Sequence, residues 1–505
     1  MNKRKFFIQG LSLTAISLIL RSANLWYRSF LTERMGAEGL GLYQLIFSVF
    51  TLAITLTTSG ISLAVTRLVT SALNKKERGK VKSLVNKCLG FCLTVSLAVA
   101  AVLWCLGGSL AGSFLKNPQA APALRLLAVG LPFISASTCL KGYFLAVEEG
   151  VTGSVADLLE EALTIALTVV IFNVGYLHSL EMACAGAMLA ASAGEVISFL
   201  WNFIAYRRSI ARNTPGHREK SAGVIGGLLH IALPCTLSAA ARSLLSTAEN
   251  LLIPLRLQAG GFDYSSAMSV YGILHGMALP MLYFPSSLLF SFAFLMIPKL
   301  NTEYELRNRN HVAYMSGKAI FTSLSFGIIC GLMFYAFSGE LGLVFYKSSE
   351  VGRYIRYLAP LCPLIFLDVV MDSLLKALDQ QVNSMKYNIM DSALRVALVL
   401  LLLKSFGITS YIGIMYFSCI FNVSLSLRKL VQTSGLNVRH GWTLLYELPA
   451  AVIAVMVASK IELPQIHLSL FVKLITAMAI YGSITLFFDK WAQKVPEPKP
   501  RDNWI

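Results

Sequence analysis

Apolar runs long enough to cross a bilayer recur at near-regular intervals from one end of the chain to the other, and no polar segment between them is long enough to fold alone. A spanning helix needs about 20 apolar residues. Inside lipid every backbone N–H and C=O must be paired within the segment, so such runs dictate helices. We place spans near 6–33, 38–70, 86–109, 121–147, 155–175, 180–206, 223–255, 268–298, 317–338, 352–376, 387–405, 409–427, 443–459 and 469–488. Composition agrees: of 505 residues, 56% are hydrophobic and 14% charged, with a mean hydropathy of +0.65. A soluble domain would carry roughly 25% charged residues, so too few polar side chains remain for a water-facing surface. The expected fold class is an all-α polytopic membrane protein of about 14 transmembrane helices. The N-terminal MNKRK and the apolar run after it look like a signal peptide, but no small-residue cleavage site follows and we take the run as the first span.

Charge between the spans sets the topology. With the N-terminus inside, the inner segments hold Lys3, Arg4 and Lys5; Lys75, Lys76, Arg78, Lys80, Lys82 and Lys87; Arg207, Arg208, Arg212, Arg218 and Lys220; Lys299, Arg307, Arg309 and Lys318. Further on come Lys376, Lys386, Arg428, Lys429 and Arg439, then Lys490, Lys494, Lys499 and Arg501. The opposite loops hold only Arg34, Lys116, Arg256, Lys347, Lys404 and Lys460. Short loops rich in Lys and Arg stay cytoplasmic, so both termini are expected in the cytoplasm. The net charge of +17 is mostly this signal, and no nucleic-acid partner is expected. One inner turn, EEGVTGSVAD at 148–157, is acidic but short and flanked by Lys141.

Motifs of soluble chemistry are absent. There is no phosphate-binding GxxxxGK loop and no HExxH. The nine cysteines fall in or beside apolar spans with no metal-ligand spacing, so we expect neither disulfides nor zinc. No catalytic residue, metal or cofactor is expected; a coupling ion, sodium or proton, is left open, and the chain is expected to act as a monomer.

An internal repeat organises the spans. FLKNPQAAPALRLLAVGLPFI from Phe114 lies over FYKSSEVGRYIRYLAPLCPLI from Phe345 at a shift of 231 residues, matching Lys116 with Lys347, Arg125 with Arg356 and Pro132 with Pro363. The shift continues through Ala146 and Ala377, Glu148 and Asp379, and Glu160 and Asp391. More loosely, LILRSANLWYRSFL lies over AAARSLLSTAENLL, placing Arg21 on Arg242 and Arg28 on Glu249. VTRLVT over IPKLNT places Arg67 on Lys299. Spans 1–6 thus correspond to spans 7–12, and an even repeat unit makes the copies parallel. The expectation is two six-helix lobes around a central cavity, 1–220 and 221–440, with 441–505 supplying two appended helices and a cytoplasmic tail.

Charges in mid-span cost about 2.5 to 3.5 kcal/mol each on insertion scales, so these positions are the candidate site. Arg21 is near the middle of span 1, and Arg28 lies two turns on, along the same face. Arg242 and Glu249 repeat that spacing in span 7; if the two helices face one another, the four charges share a wet, net positive cavity. Arg67 and Lys299 would ring the cytoplasmic mouth, or snorkel to the interface. Glu249 could instead only satisfy a neighbouring Arg. Asp368 and Asp372, four apart on span 10, are candidates for ion coupling or for an ion pair with a nearby Lys. Gly60 and several mid-span prolines break or bend spans, a weak signal by itself.

Fourteen spans in two halves plus two, span 2 ending GLYQLIFSVFTLAITLTTSGISLAVTRLV, span 7 reading LPCTLSAAARSLLSTAENLLIPLRL, and YGILHGMALPMLYFPSSLLFSFAFLMIPKL from Tyr271 resemble the polysaccharide-exporter branch of the multidrug/oligosaccharidyl-lipid/polysaccharide (MOP) flippase superfamily. The likeness covers nearly the whole chain; the GLY and TSGISLAVTRLV segments are its most specific parts, and the nearest members are sporulation proteins. It implies a transporter, not an enzyme, in a bacterial cytoplasmic membrane, carrying an undecaprenyl-pyrophosphate-linked sugar such as lipid II by alternating access, with a role in spore-cortex peptidoglycan. Where relatives often have Asp in span 7, this chain has Glu249. The alternative is a cation-coupled multidrug exporter of the same fold, which would need carboxylates and aromatics in the cavity. A membrane-embedded glycosyltransferase would need a larger outer domain than these short loops provide.

Overall fold

The computed structural model describes residues 3–75, 77–175, 179–213, 224–435 and 443–492. Lys76, Arg218, Lys220, Arg439, Lys494, Lys499 and Arg501 lie outside the described residues, as does the expected tail beyond 492. Among the described residues there are helices and no strands, in the order α1 (Lys3–Thr58), α2 (Ile61–Asn74), α3 (Arg78–Ser113), α4 (Ala121–Ala146), α5 (Gly150–Val174), α6 (Leu180–Asn213), α7 (Val224–Ala259) and α8 (Tyr264–Tyr271). A π-helical segment (Gly272–Ala278) leads into α9 (Leu279–Tyr283) and α10 (Ser286–Glu305). Then come α11 (Arg309–Ala336), α12 (Ser338–Tyr346), α13 (Ser349–Leu358), α14 (Cys362–Ala377), α15 (Gln381–Ser434), α16 (Thr443–Ser459) and α17 (Ile466–Ala492).

All fourteen expected spans fall on these helices. α1 has 56 residues, which at 1.5 Å per residue is about 80 Å, far beyond a hydrocarbon core of about 30 Å. It is two spans joined at Gly36, whose φ of 68° breaks the helix in a conformation only glycine adopts without cost. Gly407, at φ 61°, divides the 54-residue α15 into spans 11 and 12 in the same way. Nine helical stretches of the described residues are long and apolar enough to cross a membrane; α5 is not one of them, because Asp157, Glu160 and Glu161 lie along it.

The repeat is visible in backbone geometry. Lys116 and Lys347 are left-handed at φ 53° and 52°, and Glu148 and Asp379 at 60° and 58°, each pair at the 231-residue shift. Asn117 and Ser348 each cap the turn that follows with their side chains. Their own N–H groups donate to Ala111 and Gly342 at 3.0 and 3.1 Å. α4 and α14 end on the matched Ala146 and Ala377, and the closing bonds, Glu149 N–H to Phe144 O and Gln380 N–H to Leu375 O, are both 2.8 Å. The copies differ at the matched prolines: Pro132 is carried inside α4, whereas Pro363 opens α14 after a 3₁₀ turn at Ala359–Leu361.

The described residues form two compact units. The first holds those up to Ser291 with Met385–Ser418; the second holds Phe292–Ser384 and those from Cys419 onward. Within the first, the second half of α1 packs closely on α8 and the π-helical segment. A Cβ on Gly41 would lie 2.3 Å from Met268 O, and one on Gly272 would lie 2.0 Å from Ala37 O. Gly60 starts α2 at φ 75°, where a Cβ would meet Ala232 O at 2.7 Å. The GLY and TSG segments are therefore where backbones touch. None of the nine cysteines is in a disulfide, and six of them, Cys88, Cys92, Cys139, Cys184, Cys330 and Cys362, are buried.

Candidate functional site

A cavity of about 560 Å³ opens in the first unit, within the size range of small-molecule sites. α1 supplies Arg21, Asn24, Arg28 and Gln44; α5 supplies Asp157, Glu160 and Glu161; the π-helical segment supplies His275; and Tyr283 and Phe284 follow it. Arg21, Asn24 and Arg28 are three and four residues apart and so share one helix face. Arg28 Nε donates to Asn24 Oδ1 at 2.9 Å, and its Nη1 donates to Gln44 Oε1 at 3.2 Å and to Gly276 O at 3.3 Å. Arg21 Nη1 reaches the carbonyl of Tyr283 at 3.5 Å. The widened turn of a π-helix re-aims backbone groups and is common at functional sites; here its carbonyl at Gly276 orients one of the cavity's two guanidinium groups.

The carboxylates of α5 differ in their surroundings. Lys141 of α4 forms an ion pair with Asp157, Glu161 lies beside Asn24 with one carboxyl oxygen buried and without a hydrogen-bond partner, and Glu160 lies beside Glu195 of α6. The cavity is thus of mixed charge. The net positive face deduced from spans 1 and 7 alone changes because α5 brings carboxylates to the same space.

Glu249 and Arg242 are not among the residues lining this cavity. Glu249 is 3% exposed and lies in a polar chain between α7 and α15. Arg395 Nη1 lies 3.6 Å from its Oε1, and Tyr411 donates to the same oxygen at 3.1 Å. His275 Nε2 is 3.0 Å from the Tyr411 hydroxyl; that hydroxyl's proton is committed to Glu249, so His275 donates. Beyond Arg395, its Nε is 3.4 Å from Asp391 Oδ2, and Ser418 donates to Asp391 Oδ1. Arg242 is exposed on α7 and interacts electrostatically with Asp391. His275 joins the chain to the cavity wall.

The remaining candidates lie apart. Arg67 is exposed on α2, beside a second cavity of about 410 Å³ lined also by Thr66, Thr70, Ser71, Asn74 and Lys75. Lys299 is exposed on α10 in the second unit. There Asp368 accepts from Asn422 at 3.0 Å, while Asp372 pairs with Lys376 at 2.5 Å and accepts from Ser384. Asp368 and Asp372 thus answer to different partners. Among the described residues no group of three or more His, Cys, Asp or Glu is arranged to hold a metal ion.

Residues 9–300 match the family described as polysaccharide biosynthesis protein. The chain belongs to that family. It is 26% identical over 406 residues to stage V sporulation protein B of Bacillus subtilis (strain 168), covering 80% of this chain and 78% of that protein. Its fold is that of the MOP superfamily. The lipid II flippase MurJ, in an inward closed conformation, superposes with a TM-score of 0.72 at 14% identity, covering 95% of this chain and 99% of that one. A multidrug resistance MATE family transporter in an inward-facing conformation superposes with a TM-score of 0.68 at 16% identity, covering 84% and 98%. By family the chain is a polysaccharide biosynthesis protein, and its fold is one shared by multi-pass membrane transporters.

Sequence reasoning missed Arg395, Tyr411, His275, Asp157 and Glu161 as site residues. Arg395 was open to discovery by the criterion that found Arg21, since it stands in mid-span 11. The 231-residue shift had already placed Glu160 over Asp391, and both belong to the polar clusters described here.

Proposed function

We propose that the protein is a flippase that moves an undecaprenyl-pyrophosphate-linked sugar, lipid II or a related peptidoglycan precursor, across the bacterial cytoplasmic membrane, in service of the spore cortex. The observation that carries this reading is the pair Arg21 and Arg28, both directed into one cavity from one face of α1, with Asn24 between them and Gln44 beside them. An isolated charge in hydrocarbon costs many kcal/mol, and a pyrophosphate crosses only if its lost hydration is replaced. Guanidinium forks replace it with charge-assisted hydrogen bonds to phosphate oxygens, while Asn24 and Gln44 suit sugar hydroxyls. The lipid tail stays in the bilayer. The similar proteins, a sporulation protein and a lipid II flippase, support the same direction.

The cycle we propose is alternating access by the two repeat halves, 1–220 and 221–440, with both termini cytoplasmic and one chain sufficient. Arg67 and Lys299 would attract the anionic head group at the cytoplasmic side, and Arg242 would receive it from the cavity. Asp368 and Asp372 are the coupling candidates, with sodium or a proton as the ion.

One observation favours the second reading, a multidrug exporter: Asp157, Glu160 and Glu161 line the cavity with Tyr283 and Phe284, the carboxylates and aromatics that an organic cation wants. Against it, Asp157 is already paired with Lys141, and Arg21 and Arg28 face the same space. Mass spectrometry of lipid co-purified with the protein separates the two. An undecaprenyl-pyrophosphate-linked sugar retained by the wild type and lost with Arg28→Ala supports the flippase; saturable binding of an organic cation with no such lipid supports the exporter.

A further inference from the structure

Asp391 and Glu249 are two carboxylates from different helices, 7% and 3% exposed. Buried carboxylates persist as ions only beside a counter-charge. That charge is Arg395, with Nη1 3.6 Å from Glu249 and Nε 3.4 Å from Asp391. The hydroxyls of Tyr411 and Ser418 complete the polar shell, one on each carboxylate. Without the guanidinium, two carboxylates and two hydroxyls from α7 and α15 would surround a vacated cationic position. Such an all-oxygen set is what a hard cation selects.

We infer that the guanidinium of Arg395 is a tethered cation that takes the place of a mobile ion between Glu249 and Asp391, so that this site neither needs nor admits sodium. The other charged and titratable groups facing it are Tyr283, His275 through Tyr411, and Arg242 on the far side of Asp391. None of these is an anion that would call for a second cation. The repeat sharpens the point. In the first half the matching first-helix position is the cation Arg28, whose hydrogen bonds go to Asn24, Gln44 and the Gly276 carbonyl. In the second half that position is the carboxylate Glu249, and the cation Arg395 that pairs with it is on the fifth helix, counting α7 as first. The second half therefore carries its own counter-ion for the charge that replaces Arg28. The inference deepens the transporter reading by removing sodium from one place where it could be coupled. Its test uses ion binding without substrate, so that its failure is separable from failure of the flippase reading.

Purified protein in detergent is melted in sodium chloride and in choline chloride at equal ionic strength. The wild type and Arg395→Lys are expected to show the same Tm in both salts. Arg395→Ala is expected to melt lower in choline and to recover with rising sodium to a plateau, and Arg395→Ala with Glu249→Gln is expected to lose that response. An Arg395→Ala protein recoverable only in sodium supports the proposal equally. If it is recoverable in neither salt, the neutral set Glu249→Gln, Asp391→Asn and Arg395→Met decides: recovery supports a counter-ion role, and failure to fold overturns it. A sodium-specific rise in wild-type Tm that Glu249→Gln abolishes overturns the proposal, as does a folded Arg395→Ala protein indifferent to sodium.

Discussion

Glu148 and Asp379, 231 residues apart, hold the same left-handed conformation, φ 60° and 58°, at the same point between matched helices. Both turns close with an N–H bond to a carbonyl five residues back. A β-branched residue tolerates this region poorly. Glu148→Val and Asp379→Val are each expected to cost about 1–2 kcal/mol, with glycine at either site tolerated, read as thermal stability in detergent. Unequal penalties at the two sites would argue that the turns are not equivalent.

Gly41 and Gly272 bring α1 against the segment that carries His275 and the Gly276 carbonyl. Since a Cβ on Gly272 would sit 2.0 Å from Ala37 O, Gly272→Ala must push the segments apart, at a cost of about 1–3 kcal/mol. Because that shift also moves the Gly276 carbonyl off Arg28, we expect transport to fall further than stability does. Gly112, whose Cβ would meet nothing within 4 Å, is the control, and Gly112→Ala should leave both unchanged.

Asp263, in the loop before α8, accepts from Ser266 N at 3.2 Å and caps that helix. Hydrogen bonds from the Ser266 side chain, then from its backbone, lower the carboxyl's pKa below its usual 3.8. A depressed folded-state value means that the cap's contribution is present above that pH and is lost as pH falls through the lower folded value. Asp263→Ala should therefore lower Tm at neutral pH, and the gap to wild type should close in strong acid.

The loop charges predict that Arg78 and Arg212 face the cytoplasm. In a cysteine-free background, Arg78→Cys and Arg212→Cys should resist an impermeant thiol reagent applied to intact cells and react after lysis. Reaction from outside would reverse the topology.

The fourteen spans were legible because lipid forces each long apolar run into a helix, and the gap left between spans 6–33 and 38–70 holds the break at Gly36. The repeat was legible because it keeps charged residues and prolines at one spacing, which apolar spans alone do not. The pairing of Arg21 with Arg28 in one cavity followed from helical periodicity. What periodicity cannot supply is which helix lies opposite. The meeting of α1 with the carboxylates of α5, and of Glu249 with Arg395, depends on tertiary packing between segments far apart in sequence. The partners of Asp372 show the same limit: Lys376 is one turn away on its own helix and was foreseeable, whereas Ser384 arrives from the next helix.

The central claim is that the guanidinium groups of Arg21 and Arg28 in the first-unit cavity, with Arg242 receiving from it, carry the head group. It is tested most directly by lipid II translocation in proteoliposomes holding wild type, Arg21→Ala, Arg242→Ala, the matching Lys variants, and the Arg21→Ala, Arg28→Ala, Arg242→Ala triple variant. We predict that each Ala variant abolishes flipping while the protein still inserts, and that the Lys variants keep part of it, since an ammonium lacks the bidentate fork. Translocation at the wild-type rate by the triple variant would contradict the account, because the pyrophosphate would then cross without help from these arginines.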